Sequence, residues 1–233
     1  MAPPSSDQGS ARARAFPDLT VARSPAVVGD RARTVFGQVM GLVALTLGCL
    51  ALGAYIGRDL SGGAGIVFFI VSFACVIGLN LASARARQQL AITLLFGLGL
   101  TLGLAIGPVI NSYAKADPSA LWQAAGATGG FVAALGAVGY AIRRDLSSWS
   151  RTLFWALVAL LVFGIVALFV SIPHVNLIWS VAGLVIFGGF TIFDFNRLRR
   201  TGLENAVPIA ASIFLDILNV FLFFLQLFGG EKE

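Results

Sequence analysis

Charged residues are scarce in this chain: they make up 12% of its 233 residues, whereas soluble domains carry about a quarter. Hydrophobic residues account for 58% of the sequence, and the mean hydropathy is +0.88. Too little polar surface remains to cover a soluble core of this composition. The sequence therefore predicts a multi-pass integral membrane protein whose main partner is the lipid bilayer.

Residues that support metal, disulfide or cofactor chemistry are also nearly missing. The chain has one histidine, His174, and two cysteines, Cys49 and Cys75, both inside apolar runs where packing is their ordinary role. Its two lysines, Lys115 and Lys232, lie outside the apolar runs, which excludes a retinal Schiff base. No zinc-protease, P-loop or dinucleotide motif occurs. The sequence predicts neither an enzymatic activity nor a bound cofactor.

Long apolar runs are what the chain has in abundance. A membrane-spanning helix needs about 20 mainly apolar residues, and seven such runs predict an all-α fold of seven transmembrane helices. Residues 1–30, rich in Pro, Ser, Ala and Arg, are expected to form a disordered cytoplasmic tail, and residues 31–230 the transmembrane domain. The predicted spans are 34–57, 65–83, 90–112, 121–142, 152–172, 177–195 and 206–228.

The basic residues predict the orientation of these spans, because cytoplasmic loops are enriched in Lys and Arg. With the N-terminus inside, all of the 16 basic residues fall on the cytoplasmic side except Arg58, Lys115 and Lys232. The C-terminus is then on the opposite side. This asymmetry explains the net charge of +5 without a nucleic acid partner. Compact loops favour a bacterial inner membrane, with an organellar membrane as the alternative.

Two aspartates interrupt the last two spans. A charged side chain at hydrocarbon depth costs several kcal/mol, so such residues normally face a protein interior or a water-filled path. Asp216 is about 15 Å deep, near the midplane, if its helix rises 1.5 Å per residue. Asp194 lies nearer the cytoplasmic end, where it could instead be an interfacial acid paired with Arg197. The alternative for Asp216 is a protonated carboxyl bonded to a neighbouring helix.

The two carboxyl groups can meet, because they enter from the cytoplasmic side on antiparallel helices that are adjacent in sequence. Two acids in one dry site cannot both ionise cheaply, so they titrate as a unit. Their oxygens could also ligate Ca²⁺, which takes about six to eight oxygen ligands; Asn219, backbone carbonyls or water would complete the shell around Asp194 and Asp216. Arg85, at the end of the second span, is either an orientation-setting arginine or an ion-pair latch on this dyad.

The fourth span repeats small residues at four-residue spacing, at Ala125, Gly129, Ala133 and Ala137. Small residues at this spacing let helix backbones approach closely in lipid. We interpret the repeat as a packing face within the bundle, with a gating hinge as the alternative. If the face instead points toward lipid, it could contact another membrane protein.

The last span resembles the signature of the transmembrane Bax inhibitor motif family, in the run Ile213-Phe214-Leu215-Asp216-Ile217-Leu218-Asn219. Phe193-Asp194, followed by the basic run from Arg197, is similar to the companion motif in the sixth span. The resemblance implies seven helices with the last one central and surrounded by the other six. It also implies a pH-sensitive calcium leak gated by an aspartate pair. Phe193 departs from the pattern, because a tyrosine often precedes this aspartate.

Carried onto this chain, the resemblance places the pH-sensing dyad and the metal ligands at Asp194 and Asp216, and the arginine latch at Arg85 with Arg87 as the alternative. The first functional hypothesis is therefore a passive calcium leak controlled by this dyad. The second is a membrane-embedded regulator that binds other membrane proteins, such as stress factors or a quality-control protease, without transport of its own.

Overall fold

The computed structural model describes residues 25–170 and 173–229, with side chains from residue 33 onward. All regular structure within these ranges is helical, and each of the seven long helices is long and apolar enough to cross a membrane. The predicted all-α fold with seven spans is confirmed. The helices are α1 Pro25–Gly57, α2 Gly62–Ala84, α3 Gln88–Ala116, α4 Pro118–Ala141, α5 Trp149–Ala167, α6 Val175–Arg200 and α7 Ala206–Gly229, with a 3₁₀ turn at Leu203–Asn205.

The helix ends differ from the predicted limits in places that matter for the site. α1 begins at Pro25, a residue tolerated in the first turn of a helix, and the rest of the predicted tail, residues 1–24, lies outside the described residues. The predicted end of the fifth span, residues 171–172, also lies outside them. α6 continues to Arg200, so Asp194 is more than one turn inside the helix.

α1 and α3 pack backbone against backbone through glycines. A Cβ atom added to Gly103 would overlap the carbonyl oxygen of Leu50, and one added to Gly107 would come within 2.7 Å of the carbonyl carbon of Gly57. Such contacts hold transmembrane helices together by close van der Waals packing. With α2 packed on α3, these three helices form one half of the bundle.

α4 packs on α6 through a different small-residue face from the one predicted. A Cβ atom added to Gly139 would overlap the carbonyl oxygen of Ile192, and one added to Gly136 would meet the ring of Phe195. The predicted packing face is wrong, because its four residues are turned outward and are exposed. They are Ala125, Gly129, Ala133 and Ala137.

α7 is the most deeply buried of the seven spans. It packs against α1, α2, α3, α4 and α6, while the main contact of α5 is with α6. Phe214 and Val220 on α7 are completely shielded from solvent. This arrangement is compatible with the predicted central position of the seventh helix. The connections α2–α3, α4–α5 and α6–α7 all lie at one end of the bundle, here called the arginine-rich end.

Candidate functional site: an aspartate pair between α6 and α7

Asp194 and Asp216 meet at the interface of α6 and α7. Their side chains are 4% and 5% exposed, and the two carboxyl groups lie within hydrogen-bonding reach of each other. The hydroxyl of Ser212 is also within reach of Asp194. The structure therefore brings together the two residues that the sequence singled out.

Each aspartate occupies a position that would otherwise belong to the apolar core. Residues separated by three or four positions share one face of a helix, and the inward faces of α6 and α7 each contain one carboxyl group among buried neighbours. On α6 this face contains Phe187, Thr191, Asp194 and Leu198; on α7 it contains Ile209, Ile213, Asp216, Val220 and Phe223.

One oxygen of the pair is left unsatisfied. The Oδ2 atom of Asp216 is buried and has no hydrogen-bond partner among the described residues. Buried polar atoms almost always have a partner in the protein or in bound water. A proton shared between the two carboxyl groups, which lie within hydrogen-bonding reach, could supply such a partner.

The predicted latch is not formed in this structure. Arg85 and Arg87 are exposed in the α2–α3 connection, on either side of Ala86, which has a left-handed backbone with φ of 54°. Neither arginine makes an ion pair with Asp194 or Asp216, and the ion pairs found within 25–170 and 173–229 join Arg58 to Asp59 and Arg200 to Asp145.

Arg197 is the arginine whose charge acts on Asp194, from one turn further along α6. Its own side chain is exposed and forms no ion pair with Asp194 among the contacts of the described chain. Because Asp194 is almost fully buried, it does not fit the alternative of an interfacial acid.

Asn219 does not point its amide at the pair. Its side-chain nitrogen donates to the carbonyl of Leu215 on its own helix at 2.7 Å. No group of three or more His, Cys, Asp and Glu that could hold a metal occurs in the described part of the chain. A calcium ion at Asp194 and Asp216 would therefore need backbone carbonyls or water for most of its ligands.

Asn196 is a structural residue that the sequence analysis missed. Its side chain is 2% exposed, and its amide nitrogen lies 2.7 Å from the carbonyl of Ile142, 3.3 Å from that of Gly139 and 3.2 Å from that of Arg144. The last carbonyls of a helix have no hydrogen-bond donor within the helix, and the side-chain amide of Asn196 provides a donor for those at the end of α4. The only signal in the sequence is an amide two residues after Asp194 in an otherwise apolar span.

The two arginines that follow on α6 extend this contact to the end of α4. Arg199 donates to the carbonyls of Tyr140, Ala141 and Ile142 at 3.4 to 3.5 Å. Arg200 donates to the carbonyl of Arg143 at 2.8 Å. These bonds fix the end of α6 that carries Asp194 to the end of α4.

Residues 32–233 match the family described as "Inhibitor of apoptosis-promoting Bax1". The chain belongs to this family. It is 27% identical over 237 residues to the inner membrane protein YbhL of Escherichia coli K12, covering 90% of this chain and 98% of the relative. It is 32% identical over 164 residues to the Golgi anti-apoptotic protein of vaccinia virus, covering 69% and 68%.

A third similar protein is an uncharacterized membrane protein of Vibrio cholerae, 32% identical over 167 residues that cover 71% of this chain and 70% of the relative. The family assignment confirms the resemblance predicted from the motifs around Asp194 and Asp216. Together with the seven apolar helices, it establishes a multi-pass integral membrane protein. The descriptions of the family and of these three relatives name no enzymatic activity.

Proposed function

We propose that this protein is a passive, pH-sensitive calcium leak in which Asp194 and Asp216 form the gate. The observation that carries the proposal is the contact between two buried carboxyl groups on different helices. A core of this kind would be more stable with leucine at both positions, because a buried ion is costly even when it is paired. The retention of two acids in contact supports a functional role.

The gate works through the coupled titration of the pair. When the two carboxyl groups share one proton, a hydrogen bond joins α6 to α7. When both are ionised, two negative charges in contact repel each other and attract a cation. The carboxylate oxygens of the ionised pair are the atoms that would ligate the cation. In a second conformation Arg85, or alternatively Arg87, would form the ion-pair latch on the ionised dyad.

The proposal is tested by calcium flux into liposomes that contain the purified full-length protein. Flux is measured across mildly acidic to mildly alkaline pH for the native chain, for Asp216→Asn and for Asp194→Asn. Asp59→Asn is the matched control, because Asp59 is exposed at the other end of the bundle. We expect both dyad variants to lose the pH response and the control to keep it. Equal flux and equal pH response in all four proteins would reject the dyad as the gate.

We place the protein in a bacterial inner membrane with the arginine-rich end in the cytoplasm. The name of the Escherichia coli relative supports the membrane assignment, and the distribution of basic residues supports the orientation. Reporter fusions at the C-terminus, active only on the far side of the membrane, test the orientation. Activity of a reporter that works only in the cytoplasm, fused at the same position, would show that the proposed orientation is wrong.

A second candidate function is regulation of another membrane protein through the outer face of α4. Gly126 and Gly130 have open space in front of them, and small residues of this kind form contacts between transmembrane helices. The name of the vaccinia virus relative describes an anti-apoptotic protein, which is a regulatory role. A photo-cross-linker at Gly126 that captures one defined membrane protein, combined with no calcium flux in liposomes, would favour this function over the leak.

A further inference from the structure

A wide apolar groove opens on one side of the bundle. Its walls are α1 and α4, its floor is α7, and its volume is about 1100 Å³. Met40 and Leu47 line it from α1, Ala133 from α4, and Ile217 and Phe221 from the floor. A groove of this kind in a membrane protein is filled by hydrocarbon, because water gains no hydrogen bonds there.

The groove runs along most of the membrane thickness. On α1 its lining extends from Arg33 to Leu50, which is about 25 Å at 1.5 Å per residue. The hydrocarbon core of a bilayer is about 30 Å thick. Any occupant of the groove therefore lies along the bilayer normal, as an acyl chain or a transmembrane helix would.

An aromatic contact closes the groove near the arginine-rich end. The rings of Phe36 on α1 and Tyr140 on α4 meet edge to face, with centroids 5.4 Å apart. A helix with its side chains is about 10 Å wide, so it cannot lie along the groove while this contact is made. A flexible acyl chain can pass beside the ring pair and lie beneath it.

Positive charge lies at the same end. Arg33 is one turn before Phe36, lines the groove and makes no ion pair with any described residue. On α4, the C-terminal carbonyls carry the partial negative charge of the helix dipole, and Arg199 donates hydrogen bonds to them. This positive charge reduces the repulsion that an anionic group would meet at that end of α4. Basic pockets between transmembrane helices bind the headgroups of anionic lipids.

We propose that the α1–α4 groove is a binding site for an anionic phospholipid, with the phosphate at Arg33 and an acyl chain against Met40 and Ala133. The groove is also lined by Phe195 and Ile217, which directly follow Asp194 and Asp216 in sequence. A bound acyl chain therefore contacts the two helices that carry the dyad. The binding itself does not depend on whether the dyad gates a calcium leak.

The test is native mass spectrometry of the full-length protein released from nanodiscs of mixed phosphatidylglycerol and phosphatidylcholine. Arg33→Gln removes the charge, with Arg151→Gln as the matched control because Arg151, in the first turn of α5, is exposed at the same end but does not line the groove. Ala133→Trp fills the groove, with Val162→Trp as its control because Val162 is exposed on α5. Both targeted side chains are exposed, so folding is expected to survive, and the melting temperature of each variant verifies it.

The native protein is expected to retain phosphatidylglycerol in excess over its share of the bilayer. Arg33→Gln should bring this enrichment down to the bulk ratio, and Ala133→Trp should reduce retention of either lipid several-fold, with both controls unchanged. Enrichment that survives Arg33→Gln, or retention equal in Ala133→Trp and Val162→Trp, would overturn the proposal. So would a photo-cross-linker at Ala133 that captures a protein in place of lipid.

Discussion

The carboxyl group of Asp194 on α6 lies against that of Asp216 on α7, within hydrogen-bonding reach and almost completely buried. Each carboxyl group is the polar neighbour of the other in an otherwise largely apolar interface, so burial of one depends on the presence of the other. From the described part of the chain, the hydroxyl of Ser212 and the charge of Arg197 also act on Asp194. The pair is therefore a unit in structure, and its properties should be measured as those of a unit.

The first prediction concerns the energetic coupling of this pair. Residues in contact typically show interaction free energies of about 0.5–3 kcal/mol, whereas distant sites add to within about 0.3–0.5 kcal/mol. We expect the effects of Asp194→Asn and Asp216→Asn on the free energy of unfolding to be non-additive in the double variant. Unfolding of all four proteins in detergent micelles measures this coupling, and simple additivity would contradict a direct contact.

Asn196 is predicted to be essential for the stability of the end of the bundle that carries Asp194. Asn196→Leu keeps the approximate size but removes the donor to three carbonyls, and an unsatisfied buried polar group costs about 1–3 kcal/mol. Asn80→Leu is the matched control, because the amide of Asn80 is exposed and bonds only to Val76 on its own helix at 2.8 Å. The melting temperature should fall clearly for Asn196→Leu and little for Asn80→Leu; equal shifts would contradict the assigned role.

Gly103 is predicted to tolerate no side chain. An added Cβ atom would overlap the backbone of α1 at Leu50, and a backbone cannot move aside as a flexible side chain can. We expect Gly103→Ala to destabilise the protein by about 1–3 kcal/mol, the range for overpacking. Gly48→Ala, where nothing lies within 4 Å, should be neutral or stabilising by up to about 1 kcal/mol. Thermal unfolding of both variants is the measurement, and a stable Gly103→Ala would show that α1 and α3 are further apart.

Asp145, in the α4–α5 connection, is predicted to make the stability of the folded protein depend on pH. The hydroxyl and N–H groups of Ser147, at 2.6 and 2.9 Å, hold the pKa of Asp145 below its ordinary value of 3.8, with a smaller contribution from the charge of Arg200. A lowered pKa means that the carboxylate stabilises the folded state above pH 3.8 and loses this effect as the pH falls through the folded-state pKa.

Asp145→Asn should therefore lower the melting temperature at neutral pH, and the difference from the native protein should vanish in acid. Asp59→Asn serves as the control at the other end of the bundle. A difference that grows as the pH falls would have the wrong sign for a carboxylate with a lowered pKa. The measurement is a series of melting curves across acidic and neutral buffers.

Several features of the fold were predictable because they depend on local sequence. A run of about 20 apolar residues can satisfy its backbone in lipid only as a helix, so seven runs required seven helices. The two aspartates stood out for the same reason, since a carboxyl group is expensive at the depth of Asp216. Their meeting was also predictable, because antiparallel helices adjacent in sequence commonly pack together.

The tertiary structure decided what several side chains contact, because those contacts join segments far apart in the chain. α4 has two small-residue faces, and only its packing on α6 shows that Gly139 points inward against Ile192 while Gly129 and Ala133 line a groove. Asn196 acquires its role from carbonyls more than fifty residues earlier. Arg85, predicted as a latch, is exposed and makes no ion pair with the dyad among the described residues, at the end of a helix that packs mainly on α3. Local physics fixed which segments span the membrane, and long-range packing fixed which polar groups meet inside it.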